Sequence, residues 1–224
     1  VMSEATPSYP QQGTRIVSAS KRNLLPNGRL IKDGVLLFVH AHPDDETSST
    51  GATMAAYARE GAKVHLLTLT RGEMGEVIPE DLKHLQVGDP ECTDNGEALG
   101  EYRTGELVAA SRTLGVASRF YLGQAPATAT GTRKIYRDSG MVWGEDGKPA
   151  PNPKASSDSL TAEPIEPQAQ AIANAIRSIK PDALITYDAD GGYGHPDHVR
   201  THRAVMQALS LLKSSQKPVL VRGI

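Results

Sequence analysis

Two short segments of the sequence combine histidine with aspartate, the side chains that bind zinc and that move protons. They are residues 42–45 (HPDD) and residues 195–198 (HPDH). A catalytic zinc ion usually takes three protein ligands from histidine and carboxylate and leaves a fourth position for water. In each segment a proline follows a histidine and restricts the backbone, which favours a rigid arrangement of ligands. The segments therefore predict a metal site that uses His42, His198 and one aspartate of the first segment.

The neighbouring aspartates Asp44 and Asp45 offer two chemical roles. One carboxylate can complete the metal site, and the other can act as general base toward the attacking water. Spacing alone does not say which aspartate takes which role. Without a metal, the same acidic pair would simply cap the helix that follows. Because two segments rich in histidine and aspartate each follow a predicted strand, we favour the metal site.

A second histidine pair offers a competing set of ligands. His198 and His202 are four residues apart and would share one face of a helix, as the histidines of an HExxH motif do, but the glutamate of that motif is absent. We therefore expect His202 to pack beside the site. His40 and His65 lie in predicted strands, where a histidine is more often a hydrogen-bonded core residue than a metal ligand.

Both segments follow predicted strands of an α/β fold with a mainly parallel sheet flanked by helices. The strands are residues 35–40 (VLLFVH) and 182–187 (DALITY). Short continuous apolar runs are typical of strands buried on both faces of a parallel sheet. Open sheets of this kind bind ligands at the carboxyl ends of their strands. We therefore expect the fold to bring the two segments together.

The first strand begins a predicted strand–helix–strand unit with a right-handed crossover. Its helix is predicted to run from Ser48 or Ser49 to Gly61, and its second strand covers residues 63–70. The other predicted elements are helices over residues 97–114 and 166–179, a helix that begins near His195, and strands over residues 118–123 and 218–224.

The chain is predicted to hold one catalytic domain, residues 34–224. Residues 1–33 are rich in Ser, Pro, Asn and Gly and are interpreted as a tail or a loosely docked arm. The tracts 79–98 and 124–164 are predicted to be long loops that border the site. Because nothing follows the last predicted strand, we expect that a C-terminal segment of the domain is missing.

Composition excludes several classes of function. Lys and Arg total 24 against 26 for Asp and Glu, so the net charge of -2 does not favour nucleic acid or an anionic membrane as a partner. A small polar substrate fits better. Cys92 is the only cysteine, which leaves nitrogen and oxygen as metal ligands. With no apolar signal segment and no run of about 20 apolar residues, we expect a cytoplasmic protein.

Longer stretches resemble the PIG-L/LmbE-like family of zinc-dependent de-N-acetylases. Within that family they are most similar to the mycothiol-pathway branch, which acts on N-acetylglucosaminyl-inositol. This resemblance implies a Rossmann-like fold, a hydrolase that acts on an amide bond, and one zinc ion, with Fe²⁺ as an alternative that accepts the same ligands. The segments that carry it are LLFVHAHPDDE, GATMAAYAREGAKVHLLTLTRGEMGEVI, YRTGEL, RDSGM and TYDADGGYGHPDHVRTH.

The resemblance also implies a role for each residue of the two segments. It makes His42, Asp45 and His198 the zinc ligands and Asp44 the general base. Tyr193 would stabilise the oxyanion through its hydroxyl. His195 would act as a cationic general acid or electrostatic stabiliser. Asp197 would pair with His195 and raise its pKa.

Substrate contacts are implied at four further positions. Glu76, Arg103 and Asp138 would surround the hydroxyls of the sugar and inositol, with which charged side chains form strong hydrogen bonds. Met141 would line the acetyl pocket. The alternative for Arg103 is a surface salt bridge with Glu106 at helical spacing, and for Met141 it is an ordinary core position.

Three other functions remain to be weighed. An amidase of mycothiol S-conjugates would use the same residues on a bulkier substrate, and the tracts 79–98 and 124–134 look longer than the family pattern, which puts the fine specificity in doubt. A noncatalytic Rossmann-like binding module would need no general base. A nucleotide-binding oxidoreductase is disfavoured because no G-x-G-x-x-G follows the first strand.

Overall fold

A five-stranded parallel sheet forms the centre of the computed structural model, which describes residues 23–223. Its strands lie in the order β3-β2-β1-β6-β7, and a separate antiparallel hairpin consists of β4 and β5. The strands are β1 (Val35–His40), β2 (Lys63–Thr68), β3 (Ser118–Tyr121), β4 (Met141–Trp143), β5 (Pro149–Pro151), β6 (Ala183–Thr186) and β7 (Val219–Arg222).

Four long helices cover the two faces of the sheet. Alternate residues of β1 point to opposite faces: Leu37 and Val39 belong to the apolar cluster formed with α3 and α4, whereas Leu36 and Phe38 belong to the cluster formed with α1. These four side chains are fully buried, which explains why the strand is apolar from Val35 to Val39. The helices are α1 (Asp45–Arg59), α2 (Glu97–Thr113), α3 (Ile165–Ile179) and α4 (Pro196–Ser210).

The chain changes direction across the sheet between β1 and β6. From β1 it builds outward through β2 to β3, and it then returns to add β6 and β7 on the other side. The pairs Leu36–Ala183 and Phe38–Ile185 align the two central strands. A crevice at the carboxyl ends of such neighbouring strands is where open α/β sheets bind ligands. The predicted α/β fold with a mainly parallel sheet in a single domain is confirmed.

Helix α1 begins earlier than predicted. It starts at Asp45, and the Asp44 carbonyl accepts the first helical hydrogen bonds from the backbone amides of Thr47 and Ser48. The Ser48 hydroxyl donates to the same carbonyl instead of capping the helix. The prediction of a start at Ser48 or Ser49 is therefore wrong, because it took the nearest hydroxyl residues for the cap.

The described part of the predicted N-terminal arm packs against the domain. Leu25 is buried in the core, and the Leu24 backbone amide donates to the hydroxyl of Tyr57 at 2.7 Å. A short 3-10 helix, Ile31–Asp33, then leads into β1. Residues 1–22 lie outside the described residues.

The two long tracts carry local structure of their own. The first contains a 3-10 helix, Glu80–Leu85, and the second contains the β4–β5 hairpin. Across residues 23–223, no helix is both long enough and apolar enough to cross a membrane.

Candidate metal centre

The two histidine-aspartate segments meet at the carboxyl ends of β1 and β6. The first connects β1 to α1, so that Asp45 is the first residue of that helix. In the second, His195 is the N-cap of α4. The ring of His42 lies 5.2 Å from that of His198 and 4.7 Å from that of His195, centre to centre. All four of these side chains are buried.

Two distances from Asp45 to the predicted histidine ligands fit a zinc ion, although Asp45 belongs to neither group of mutually close metal-binding side chains among the described residues. Asp45 Oδ2 lies 3.4 Å from His42 Nδ1 and 3.5 Å from His198 Nε2. A tetrahedral zinc ion with bonds of about 2.0–2.1 Å separates its ligand atoms by about 3.3–3.4 Å. Within the described residues, His198 Nε2 is buried without a hydrogen-bond partner. A buried nitrogen without a partner at this place fits a metal ligand.

Hydrogen bonds on the far side of each ring direct these nitrogens toward Asp45. His42 Nε2 contacts the Asp197 carboxylate at 3.1 Å, and His198 Nδ1 contacts the carbonyl of Gly191 at 3.1 Å. Both partners are acceptors, so each ring donates on that side, and its other nitrogen would be the metal-binding atom once it carries no proton. Partners of this kind orient ligand histidines and increase their basicity.

Charge within the site is concentrated on buried groups. Burial lowers the pKa of His42, but the carboxylates of Asp138, Asp197 and Asp45 outweigh it and raise that pKa well above its usual value. Burial raises the pKa of Asp45, but His198 and His42 hold it well below its usual range. The Asp45 carboxyl is therefore an anion beside two imidazoles, as a metal ligand must be.

Two further groups border the same space. One nitrogen each of His42, His195 and His198 lies within 4.8 Å of the others, so His195 faces the same space as the predicted ligands. His42, Asp138 and Asp197 form a second group with the same limit. That group uses the opposite side of the His42 ring, where Nε2 already donates to Asp197.

Asp197 does not pair with His195 through its carboxylate. Asp197 Oδ2 accepts from His42 and from the backbone amide of Ser139 at 2.9 Å. Only its backbone amide contacts His195, by donating to Nδ1 at 3.1 Å. The prediction that Asp197 pairs with His195 is therefore wrong: neighbours in sequence here send their side chains to different partners.

His195 is a neutral imidazole in this arrangement. An imidazolium has a proton on both nitrogens and cannot accept a hydrogen bond at Nδ1. Burial, together with His42 and His198, lowers the pKa of His195 to about 3. The prediction that the pKa is raised is wrong, and the group that His195 offers is a neutral Nε2–H donor.

Asp44 is exposed beside the metal centre. Its side chain is 70% exposed, and Oδ2 accepts from Arg103 Nη2 at 2.7 Å. Arg103 also donates to the carbonyls of Pro43 and Gly72. These contacts hold its guanidinium group beside Asp44, so it does not form the alternative pair with Glu106. The φ of Asp44 is 100°, which is rare for a residue with a side chain and is the kind of backbone strain that clusters at functional sites.

The four predicted substrate residues fall in different places. Glu76 and Arg103 line a cavity of about 430 Å³ together with Asp44. Asp138 is not among the lining residues of that cavity: it is 5% exposed, and its Oδ1 lies 3.6 Å from His42 Nε2. Met141 is partly buried at the start of β4.

The remaining candidates have clear surroundings. Tyr193 is 56% exposed, with its ring 5.2 Å from that of His198. His202 Nδ1 contacts the Tyr187 carbonyl at 3.0 Å, as expected for a residue packed beside the site. His40 is buried against Thr50, and His65 contacts Ser118. Both are hydrogen-bonded as predicted, but only His40 is a core residue, since His65 is partly exposed.

Sequence reasoning missed two buried residues that support the site. The Tyr187 hydroxyl donates to Asp45 Oδ2 at 2.6 Å. Glu73 is fully buried, accepts from Arg71 at 3.1 Å and accepts from the Asp138 backbone amide at 3.0 Å. One signal was available, because Tyr187 directly follows β6, the strand whose carboxyl end forms the crevice.

Comparison with known sequences identifies relatives over most of the chain. The PIG-L family model, described as GlcNAc-PI de-N-acetylase, matches residues 37–209. A 1D-myo-inositol 2-acetamido-2-deoxy-alpha-D-glucopyranoside deacetylase of Kineococcus radiotolerans is 50% identical over 183 residues, which cover 82% of this chain and 46% of the relative. An enzyme of the same name from Streptomyces avermitilis is 46% identical over 181 residues, with coverage of 81% and 54%. The chain spans about half the length of the curated relatives it matches.

Solved structures share the fold. An N,N'-diacetylchitobiose deacetylase from Pyrococcus horikoshii superposes with a TM-score of 0.53 at 21% identity, over 81% of this chain and 52% of that one. The zinc-inhibited form of the teicoplanin deacetylase Orf2 superposes with a TM-score of 0.50 at 26% identity, over 79% and 64%. Because the family model covers well over half of the chain and the relatives are this similar in sequence, the chain belongs to the PIG-L family of de-N-acetylases.

Proposed function

We propose that the chain is the metal-dependent hydrolase region of an enzyme that removes the acetyl group from N-acetylglucosaminyl-inositol in mycothiol biosynthesis. The observation that carries this proposal is the spacing of 3.4 and 3.5 Å between Asp45 Oδ2 and the two imidazole nitrogens. The names of the relatives from Kineococcus radiotolerans and Streptomyces avermitilis support the substrate. A cytoplasmic location stays a prediction.

His42, Asp45 and His198 would hold the metal, which we propose is zinc. When bound there, zinc would polarise the acetamide carbonyl and acidify the attacking water. All three ligands lie on the floor of the crevice and are at most 9% exposed. The same ligands suit Fe²⁺, so the choice between the two metals is itself part of the proposal.

Asp44 would take the proton from the attacking water. Its carboxylate is exposed at the edge of the cavity, next in sequence to the ligand Asp45. Arg103 holds one oxygen of that carboxylate at 2.7 Å. The other oxygen is then free to act as base, and the contact fixes its direction.

Two neutral donors would act on the other side of the reacting amide. His195 offers Nε2–H, because its Nδ1 accepts from the Asp197 backbone amide. That N–H can stabilise charge on the carbonyl oxygen, and the departing nitrogen would take the proton that Asp44 removed from the water. The exposed hydroxyl of Tyr193 would donate to the same oxygen.

Glu76 and Arg103 would contact the hydroxyls of the sugar and inositol. Both line the cavity that reaches Asp44, and charged side chains form strong hydrogen bonds with hydroxyl groups. Met141 remains a proposed wall of the acetyl pocket. Asp138 lies behind His42, so we propose that it acts on the metal centre and not on the substrate.

Metal analysis combined with an amine-release assay tests this proposal. Purified protein should contain about one zinc or iron per chain, release amine from N-acetylglucosaminyl-inositol, lose activity on chelation and regain it when the metal is restored. A chain that binds no metal, or that stays fully active after complete removal, contradicts the metal mechanism. Bound metal without amine release from any acetamide sugar favours a noncatalytic binding module.

An amidase acting on mycothiol S-conjugates is the second candidate. One observation favours it: part of the cavity wall is apolar, with Val77, Ile78, Pro79 and Leu82. That wall suits the apolar group of a conjugate better than it suits a polyol. Comparing kcat/KM for the acetylated sugar with that for a bulky S-conjugate separates the two, and a higher value for the conjugate selects the amidase.

A further inference from the structure

Tyr187 connects the two sides of the metal centre. It lies one residue beyond β6 and is 1% exposed. Its phenol oxygen lies 2.8 Å from the backbone nitrogen of Ala41 and 2.6 Å from Asp45 Oδ2. A backbone N–H can only donate, so the phenol oxygen accepts from Ala41 and its single proton goes to Asp45. The hydroxyl thus joins the end of β6, the segment after β1 and the start of α1.

The ring of Tyr187 contacts a second proposed ligand. It stacks on His198 with the ring centres 4.2 Å apart and the planes 13° from parallel. The Gly191 carbonyl fixes the same imidazole at its Nδ1 atom. Stacking and hydrogen bonding together leave His198 Nε2 directed toward Asp45.

The Asp45 carboxylate is held at one oxygen. Oδ2 accepts from Tyr187 and from the His42 backbone amide at 2.9 Å. It is also the oxygen that lies 3.4 and 3.5 Å from the two ligand nitrogens. The phenol therefore acts on the ligand atom itself, and no substrate contact is needed for its effect.

We propose that Tyr187 is a positioning residue that sets the geometry and affinity of the metal site through Asp45 and His198. This inference rests on the proposed metal-dependent function. Residues that orient metal ligands typically change metal affinity by about 10- to 100-fold when they are replaced. We expect that effect from loss of the hydroxyl alone, with little change in how substrate binds.

The chain contains a matched control in Tyr136. It is also 1% exposed, and its hydroxyl accepts from the Arg133 backbone amide at 3.2 Å. It belongs to the apolar cluster beneath α3 and α4 and makes no hydrogen bond to a proposed ligand among the described contacts. Tyr187→Phe and Tyr136→Phe therefore each remove one buried hydroxyl, but only the first contacts the metal site.

Zinc affinity of the metal-free proteins is the first measurement, by competition with a chromophoric chelator. Tyr187→Phe should bind zinc about 10- to 100-fold more weakly than wild type, whereas Tyr136→Phe should stay within about threefold. Equal affinities for the two variants overturn the inference. If Tyr187→Phe does not fold without metal, the zinc concentration that restores its circular dichroism replaces the titration, and the same ratio to Tyr136→Phe is expected.

Kinetics at saturating zinc separate positioning from catalysis. Tyr187→Phe should regain most of the wild-type kcat when zinc is in excess, with KM unchanged, because the hydroxyl acts on metal occupancy. A kcat that stays low in a fully zinc-loaded variant overturns the positioning role. If wild type binds no zinc, the proposed function itself fails; if wild type binds zinc and the variant binds it equally well, only the role of Tyr187 fails.

Discussion

The floor of the crevice and its rim are built in different ways. On the floor, His42, Asp45 and His198 are buried and are each held by a hydrogen bond to the backbone or to a buried side chain. On the rim, Asp44 and Glu76 are exposed. Arg103 holds Asp44 in place through its carboxylate and through the carbonyls of Pro43 and Gly72.

This difference separates two tasks. A metal site needs ligands fixed to within fractions of an ångström, which buried and mutually bonded side chains provide. A substrate cavity must exchange solvent for substrate, which exposed side chains permit. We therefore expect changes on the floor to act on metal affinity, and changes on the rim to act on KM. Asp44 is an exposed rim residue next in sequence to the proposed ligand Asp45. We therefore expect its replacement to change kcat alone.

Replacing a ligand on the floor should have the largest effect. Asp45→Ala removes the anion that faces both imidazoles, so metal should be lost and turnover should fall by more than about 10⁴-fold, since Lewis-acid and water activation are lost together. Metal content and amine release measure both. Asp94→Ala is the control: Asp94 accepts from the amides of Gly96 and Ala98 at the start of α2, away from the proposed ligands, so its loss should not change the metal content. Retained metal in Asp45→Ala would contradict its role as ligand.

The general base at the boundary comes second. Asp44→Asn keeps the size of the side chain but cannot take a proton, so kcat should fall by about 10²–10⁴-fold while zinc content stays at the wild-type level. Single-turnover amine release in zinc-loaded protein measures the effect. Full activity in that protein would rule out Asp44 as the base. Loss of zinc would show that Asp44 helps to bind the metal.

The sequence was sufficient to predict the central strands and to place the two histidine-aspartate segments at their carboxyl ends. The apolar run VLLFVH identified β1, and the rule for parallel sheets placed His42 and His198 at neighbouring strand ends, although about 150 residues lie between them. Both inferences use patterns that the chain carries locally. The alternation of Leu36 and Leu37 between the two faces follows from strand geometry in the same way.

The hydrogen-bond partners of individual side chains could not be predicted from the sequence. Asp197 was assigned to His195, two residues away, but α4 turns its carboxylate toward His42, 155 residues distant. Tyr187 was not singled out, because nothing in the neighbouring sequence shows that Ala41 and Asp45 lie against its hydroxyl. Helix α1 starts directly after Asp44, whose backbone has a positive φ and whose side chain forms no cap hydrogen bond. The sequence therefore carried no capping signal for this start. Contacts of this kind arise only after the strands have assembled.

Asp197 tests how strongly the floor depends on residues behind the ligands. Asp197→Asn keeps an oxygen for His42 Nε2–H but loses the charge, so zinc affinity should fall by about 10-fold, at the low end for residues that orient ligands. Chelator competition measures it. Asp182→Asn is the control, because Asp182 accepts from the Val35 backbone amide, outside the metal centre. An unchanged zinc affinity in Asp197→Asn would show that the Asp197 charge does not support the His42 ligand.

The rim should give the smallest effect. Glu76→Gln keeps a hydrogen-bonding side chain but removes the charge, so KM for N-acetylglucosaminyl-inositol should rise about three- to tenfold, the equivalent of one hydrogen bond of about 0.5–1.5 kcal/mol. The kcat and the zinc content should not change, since Glu76 reaches the cavity and not the ligands. Glu145→Gln, on the exposed turn between β4 and β5, should leave all three values at the wild-type level. A fall in zinc affinity in Glu76→Gln would contradict the division of tasks between floor and rim, because an exposed rim side chain would then contribute to metal binding.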